Sequence, residues 1–348
     1  MRWFVATAIA FLATSCVVAD GGRRSLADKH GPAGLMSDHM HRQGEWMVEY
    51  KYMNMYMEDN RIGEREVSDS ASISDGGGPG ITVEGRTTNA GASPTDMTME
   101  MHMAHVMYGL SDDVTLYTMI MLPSLTMDHI RGEANPAGPG TSFTTHNSGF
   151  GDVTIGTLLR LYESRETDLI LNLGGSLPTG DIYRESTAPT GGRASQPLPF
   201  PMRLGSGTFN VRPGFTWKRY GDWWSTGIQV QTDLPIGRNY RGYSVGDEFR
   251  YNSWTSVLLT DWLAVSLRGE HIWRTNYDGQ DNDLPNQIVS TNVESFRGGR
   301  WYNLGFGAQA IFKDHYLSTE LISTIEQDLD GIQLETDFAI IGSWSRSF

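Results

Sequence analysis

Large apolar residues alternate with small or polar ones along much of this chain. Between 208 and 218, Phe209, Val211, Pro213, Phe215 and Trp217 are apolar, while Thr208, Asn210, Arg212, Thr216 and Lys218 are polar. Between 302 and 312, Tyr302, Leu304, Phe306, Ala308, Ala310 and Phe312 oppose Asn303, Gly305, Gly307 and Gln309. A period of two is the strand period, because successive side chains point to opposite faces of a pleated strand. Such runs are expected at Glu45–Met57, Thr95–Leu110, Val114–Leu122, Gly149–Leu161, Asp168–Pro178, Gly207–Lys218, Trp223–Leu234, Glu248–Leu259, Leu263–Trp273, Arg300–Phe312, Tyr316–Gln327 and Asp337–Phe348. That makes 12 runs, an even number.

The connections alternate as well. Those after odd runs span 9 to 37 residues and carry the Gly/Pro/Ser-rich stretches, such as Asp75 to Gly80 and Ala188 to Gly192; those after even runs span only 3 to 6. Outer-membrane barrels have this asymmetry, with short periplasmic turns and long external loops. A soluble sandwich has no reason to keep it throughout. The expected fold is therefore all-β: a 12-stranded antiparallel transmembrane β-barrel, with an N-terminal signal peptide and periplasmic termini. Lipid accepts only the apolar face, since a charge at the bilayer midplane costs roughly 2–4 kcal/mol. Aromatics are expected in two girdles. Trp46, Tyr108, Trp217, Trp224, Phe312 and Phe348 belong to the periplasmic one, and Tyr56, Phe209, Phe249, Trp273 and Tyr302 to the outer one.

The two ends fit this reading. Met1-Arg2 is a short positive start, and Trp3 to Ala13 is an apolar run too short to span a bilayer as a helix. Val17-Val18-Ala19 offers a cleavage site before Asp20. Cys16 after Leu12-Ala13-Thr14-Ser15 only loosely resembles a lipoprotein signal, because Ala13 stands where a large apolar residue is usual. The expected division is 1–19 signal peptide, 20–43 a periplasmic segment containing Met and His that could plug the barrel, and 44–348 the barrel. The final run places Phe338, Ile340, Trp344 and Phe348 on one face; Arg346 departs from that pattern. A terminal phenylalanine on such a strand is the expected contact for the barrel-assembly machinery.

Composition narrows this only modestly. Hydrophobic residues are 39% of the chain, which suits a barrel or a soluble secreted β-protein. After the signal, no apolar stretch approaches the roughly 18 residues of a membrane helix. A formal net charge of −14 argues against nucleic acid as a partner. The expected partners are outer-membrane lipid and a small-molecule solute.

Four segments resemble a family of outer-membrane transporters labelled meta-pathway of phenol degradation proteins. They are HGPAGLMSDHMHRQGEWMVEYKYMNM (30–55), PTDMTMEMHM (94–103), SGFGDVTIGTLLRLY (148–162) and LNLGGSLPTGDI (171–182). The resemblance implies a 12-stranded barrel that moves small molecules, with no catalytic residues to carry over. It does not identify the solute; a hydrophobic or aromatic molecule is one candidate class.

Methionine and histidine are concentrated. Fourteen of the 16 methionines lie between Met36 and Met127, and seven of the nine histidines between His30 and His146. Thioethers suit Cu(I), and imidazoles suit copper and zinc. His39 and His41 in the segment before the first run are one candidate ligand pair. In the first run, sending Trp46, Val48, Tyr50, Tyr52 and Tyr56 to lipid turns Met47, Met53, Met55, Met57, Glu49 and Lys51 inward. In the third, sending Val114, Leu116, Ile120 and Leu122 to lipid turns Met119 and Met121 inward. In the second, Glu100 and His102 in lipid would be costly, so Met97, Met99, Met101, Met103 and Met107 are expected to face lipid. The expected soft site is then Met53, Met55, His102, Met119 and Met121 beside Glu100. The alternative is plain packing by adaptable methionines. Copper enters only through the soft-site reading; no cofactor is otherwise expected.

Arg160, Arg212, Arg250, Arg268, Glu270 and Glu320 are expected to line the lumen, as braces or as a selecting ring. Enzyme motifs are missing: there is no Gly-x-Ser-x-Gly, His-Glu-x-x-His or phosphate loop. Glu270 and His271 are neighbours on a strand, so they point apart and make no dyad. The functional expectation is passage of small solutes, with a copper-handling barrel and a non-conducting structural barrel as alternatives.

Overall fold

The structure, a computed structural model, describes residues 26–73, 82–83, 86–87, 91–133, 135, 137–192, 194–281, 283–284 and 289–348. The expected export signal, Cys16 and the glycine run at 75–80 lie outside the described residues.

One antiparallel sheet closes on itself. In chain order its strands are β1 (Trp46–Gly63), β2 (Arg65–Val67), β3 (Ala92–Ser111), β4 (Val114–Arg131), β5 (Ser142–Ser148), β6 (Val153–Glu163), β7 (Thr167–Leu177), β8 (Phe209–Tyr220), β9 (Trp224–Ile236), β10 (Glu248–Thr260), β11 (Leu263–Arg274), β12 (Gly299–Phe312) and β13 (His315–Ser347). Eleven of them form the ring, and β13 pairs with β1 to close it. The other two sit outside the ring path, β2 against β1 and β5 against β4. Closure leaves the eleven-strand ring itself without a free edge. At the seam, Trp46 and Phe348 exchange both backbone hydrogen bonds at 2.9 Å.

The twelve expected runs map onto eleven ring strands. The runs Tyr316–Gln327 and Asp337–Phe348 belong to a single 33-residue strand. Residues 315–329 pair with β12 and 329–347 with β1, antiparallel in both cases. The spacer expected to be a loop stays in strand conformation. Gln327 helps to hold it, accepting from the Thr336 amide at 3.0 Å and donating to the Thr336 carbonyl at 3.4 Å.

β4 also runs further than expected, to Arg131, with β5 pairing along its last part. Up to Leu122 the exposed set is apolar, Leu116, Ile120 and Leu122. Beyond Pro123 the polarity inverts: Leu125 and Met127 are buried while Thr126 and Asp128 hydrogen-bond to β5 on the other face. An apolar set that changes face hides the strand from a pattern search.

Two- or three-residue turns, such as 112–113, 261–262 and 313–314, join strands at one end, which we call the near end. The connections at the far end are long, from 63 to 92, 131 to 153, 177 to 209, 236 to 248 and 274 to 299. Arg346, the departure from the closing pattern, sits at the near end and donates to Asp314 at 2.7 Å.

Polarity is inside out relative to a soluble protein. Around the ring, Leu116, Ile155, Leu173, Phe215, Val230, Tyr251, Leu267, Phe306, Leu321 and Ile340 are exposed. Thr115, Asn172, Thr216, Gln229, Asn252, Arg268, Gln309, Ser318 and Ser343 are buried. A continuous apolar belt far exceeds the patches of a few hundred Å² that soluble monomers expose. It fits a ring surrounded by hydrocarbon.

Candidate functional site

The lumen has three parts: a segment threaded through its near end, a wall rich in methionine, and a wall of paired charges.

Residues 26–45 precede β1 and lie against inward side chains from many strands. Lys51 of β1 donates to the Ala33 and Leu35 carbonyls at 3.1 and 2.7 Å. Gln229 of β9 donates to the Met36 carbonyl at 2.9 Å. Tyr316 of β13 donates to the Ala27 carbonyl at 3.3 Å, and Ser225 of β9 to the Asp28 carbonyl at 3.2 Å. The Gly34 amide donates to Glu320 at 2.6 Å, and the His41 amide to Thr115 at 3.0 Å. An irregular segment inside a ring must find partners for its backbone, and here the inward polar residues supply them. Gly34 has no room for a side chain: a Cβ would lie 2.4 Å from Arg268 Nη2.

On this segment His30, Asp38, His39 and His41 are all buried. His39 Nδ1 is 2.9 Å from Asp38 Oδ1, and its Nε2 is 3.4 Å from Met47 Sδ. The His30 and His39 rings meet edge-on at 3.9 Å, and those of His39 and His41 at 5.2 Å. Burial pushes the His30 imidazole well below its ordinary range and that of His41 down to about 4, so both rings are neutral near pH 7. For Glu45, burial works upward, but the hydrogen bond and charge of His41 outweigh it and bring the carboxyl to about 2.

The methionine wall corrects one expectation outright. His102 is exposed on the outer face, where it shares a 2.6 Å hydrogen bond with Tyr50. Glu100 lies on the same face of β3 and accepts from Tyr52 at 2.6 Å. Neither belongs to a lumen site. Met97, Met103 and Met107, expected in lipid, are buried, and Met99 packs against the cluster around Met97. The tyrosines of β1 are the physical reason. They give the two polar side chains hydrogen-bond partners on the outer surface, which lowers the cost of placing them there. The matching two-residue spacing of Tyr50/Tyr52 and His102/Glu100 is the signal that could have revealed this.

With β3 turned this way, β1, β3 and β4 present one surface. Register aligns Met57, Met97 and Met127 in one rung, then Met55, Met99 and Leu125, then Met53, Met101 and Pro123. Lys51, Met103 and Met121 follow, then Glu49, His105 and Met119, and finally Met47, Met107 and Tyr117. Twelve of the 16 methionines in the chain thus line three adjacent strands. Met53, Met55, Met119 and Met121 are among them, without His102. Met40 of the threaded segment packs on Met47 and Met107. At the far end Leu198, Met202 and Leu204, from the connection after β7, cover Met97 and Met127.

On β10 to β13 the charges pair. Arg268, 2% exposed, donates to Glu320 at 2.8 Å and to Asn252 at 2.7 Å, and lies 3.0 Å from Glu270. Arg250 bridges Glu270 and Glu248, both at 2.9 Å, and Arg274 reaches Glu248 at 2.6 Å. Elsewhere Arg212 donates to Asp233 at 2.8 Å, and Arg160 pairs with Glu163, which also holds Arg42 at 2.9 Å. All six expected charged residues therefore have carboxylate or guanidinium partners. His271 stacks on Tyr302 at 4.5 Å while Glu270 serves the arginines, so the two do not meet.

The family described as "Putative MetA-pathway of phenol degradation" matches residues 72–317, more than two thirds of the chain. The chain belongs to that family. Among curated proteins, no sequence matches it. Among solved structures it is similar to the COG4313 outer membrane channel from Pseudomonas putida F1, with 14% identity and a TM-score of 0.59, covering 90% of this chain and 99% of that one. More distant are the NanC porin, at 7% identity, TM-score 0.40 and coverage of 84% and 98%, and the Pseudomonas putida toluene transporter TodX, at 9%, 0.41 and coverage of 93% and 97%. The first likeness is one of fold; the other two are too distant to carry a functional argument.

Proposed function

We propose that this protein is an outer-membrane channel for small, largely apolar solutes, plugged at its near end by residues 26–43. The observation that carries the reading is a closed ring, apolar outside, whose lumen has one wall of adaptable thioethers. Such a wall accommodates flat or irregular apolar molecules without directional demands. The family description supports an aromatic solute of phenol size. In this reading β13 crosses the membrane twice, outward over 315–329 and back over 329–347, which makes twelve crossings and brings both barrel ends to the near side. The short turns make that side periplasmic. The signal peptide is removed after Ala19, Phe348 serves the assembly machinery, and lipid surrounds the apolar belt.

Planar-bilayer recording tests the reading. The intact protein should conduct poorly, and removal of residues 26–43 should raise conductance and uptake of phenol into vesicles. Silence after that deletion would favour a structural barrel. Recovery of the protein from the periplasm without detergent would sink the membrane assignment.

A further inference from the structure

The near end of the lumen holds a donor cluster that solute passage does not use. His30, Asp38 and His39, all buried, each offer one ligand atom within 4.8 Å of the others. Asp38 already has defined partners: Oδ1 faces His39 Nδ1, and Oδ2 accepts from the Gly31 amide at 2.8 Å. A proton on His39 Nδ1 satisfies the carboxylate, whereas a lone pair there would oppose it. In the neutral ring the proton belongs on Nδ1, and Nε2 carries the lone pair. That lone pair faces the Met47 sulfur at 3.4 Å, and a thioether has no proton to give. In that tautomer the two atoms face each other as acceptors and make no hydrogen bond. They do match neighbouring ligands of a tetrahedral metal, which sit about 3.3–3.7 Å apart at ordinary bond lengths. A carboxylate behind the other ring nitrogen is how metal-binding histidines are usually oriented. A further buried imidazole lies close by: the His41 ring is 5.2 Å from that of His39, and its Nε2 has no hydrogen-bond partner among the described residues.

We propose that His39 Nε2, Met47 Sδ and the His30 imidazole bind one soft monovalent metal ion, Cu(I), with Asp38 as the positioning residue behind His39. The donor chemistry selects the ion. Imidazole and thioether suit Cu(I), whereas zinc and harder ions would want the carboxylate, which is turned to His39 and Gly31. Met40 and Met107 pack beside Met47, and the methionine rungs above give a soft ion successive thioethers along the lumen. His30 and His39 belong to the threaded segment and Met47 to β1, so a bound ion would tie that segment to the wall. This last consequence rests on the plug reading; binding itself does not.

The test uses the full mature chain folded in detergent, with Cu(I) under ascorbate competed by bicinchoninate. Wild-type protein should take up one Cu(I) per chain, with sulfur and imidazole scatterers in its X-ray absorption spectrum. Met47→Leu keeps the apolar volume and should abolish the sulfur signal and weaken binding. Asp38→Asn should lower affinity about 10–100-fold while leaving the scatterers unchanged. Removing residues 26–43 should eliminate high-affinity uptake. A heat-modifiable gel shift checks that each variant is folded, and if Met47→Leu does not fold, the wild-type spectrum decides. No Cu(I) binding by folded wild-type protein, a wild-type spectrum without sulfur, unchanged affinity in Met47→Leu, or uptake that survives the deletion would each overturn the proposal. So would binding of Zn(II) with no binding of Cu(I). Loss of channel activity with Cu(I) binding intact would count against the channel and leave this site standing.

Discussion

The wall of β1, β3 and β4 and the wall of β10 to β13 face the same lumen with opposite chemistry. On the first, rungs of methionine pack against one another and against the threaded segment. On the second, Arg250, Arg268 and Arg274 are each held by carboxylates, and Glu320 also takes the Gly34 amide. The difference lies in directionality. A thioether wall tolerates small displacements because dispersion contacts have no preferred angle. A buried charge network tolerates few, because each group left without its partner keeps its desolvation cost. The ionic wall therefore fixes the shape of the lumen and the seat of the segment, and the methionine wall can yield by small displacements.

Breaking the ionic wall should give the largest effect. Glu320→Ala strips Arg268 of a partner in a buried site and leaves the Gly34 amide without its acceptor. A loss of about 3–5 kcal/mol is expected, read from urea unfolding of the folded barrel. A loss well under that range would mean that Asn252 and Glu270 suffice for Arg268, and the contrast between the walls would weaken.

Gly34→Ala attacks the same contact from the other side. Its Cβ would lie 2.4 Å from Arg268 Nη2 and 2.9 Å from Glu320 Oε2. Overpacking of this kind costs roughly 1–3 kcal/mol, and here the segment can yield while the barrel cannot. Limited proteolysis should cut within 26–45, and conductance should rise, with barrel unfolding little changed. An uncut segment would show that it is not seated through this contact.

A third test lies in the far-end connections, where Arg203 and Arg241 converge on Asp281 at 2.7 and 2.5 Å. Burial drives that carboxyl upward, but the hydrogen bonds from Arg241 and Arg203 outweigh it and hold it below the usual range. The stability it contributes is present above the unfolded value near 3.9 and is lost as pH falls through the lower folded value. Hydrogen exchange at 198–206 should therefore quicken only under strong acid, and Asp281→Asn should bring that looseness to neutral pH. Equal protection in Asp281→Asn at neutral pH would remove the charge from the account.

The smallest effects should come from the thioether wall. Met53→Leu, Met55→Leu, Met119→Leu and Met121→Leu conserve volume, and each should cost less than about 1.5 kcal/mol in unfolding. Phenol uptake should barely change. A cost approaching that of Glu320→Ala would show that sulfur has a specific partner at those positions, and the wall would no longer count as a tolerant surface.

Much of the barrel was legible because its pattern is local. The alternation in β8 and β12 places Phe215 and Phe306 outside without reference to any other strand. β1 and β4 were read the same way, which turned Met53, Met55, Met119 and Met121 inward. β3 misled because both of its faces are mixed. Methionine is apolar enough for lipid, and the penalty charged to Glu100 and His102 ignored hydroxyls on a strand not adjacent in sequence-local terms. The last two runs were expected to be joined by a loop because the spacer carries polar residues, Asp328, Asp330 and Glu335 among them, yet it stays in strand conformation.

The sequence by itself determined the strands, their alternation, the short and long connections and the apolar belt, since each depends on a residue and its neighbours two positions away. Tertiary structure decided which face of β3 turns inward, through its register with β1 and the hydroxyls of Tyr50 and Tyr52. It also decided that Gly34 meets Glu320, 286 positions away, and that His39 meets Met47 across the edge of the lumen. Those meetings follow from closing a ring around an irregular segment whose backbone groups must find partners wherever the wall offers them. No periodicity along the chain encodes that choice, because the partners are selected by reach and hydrogen-bond geometry in space.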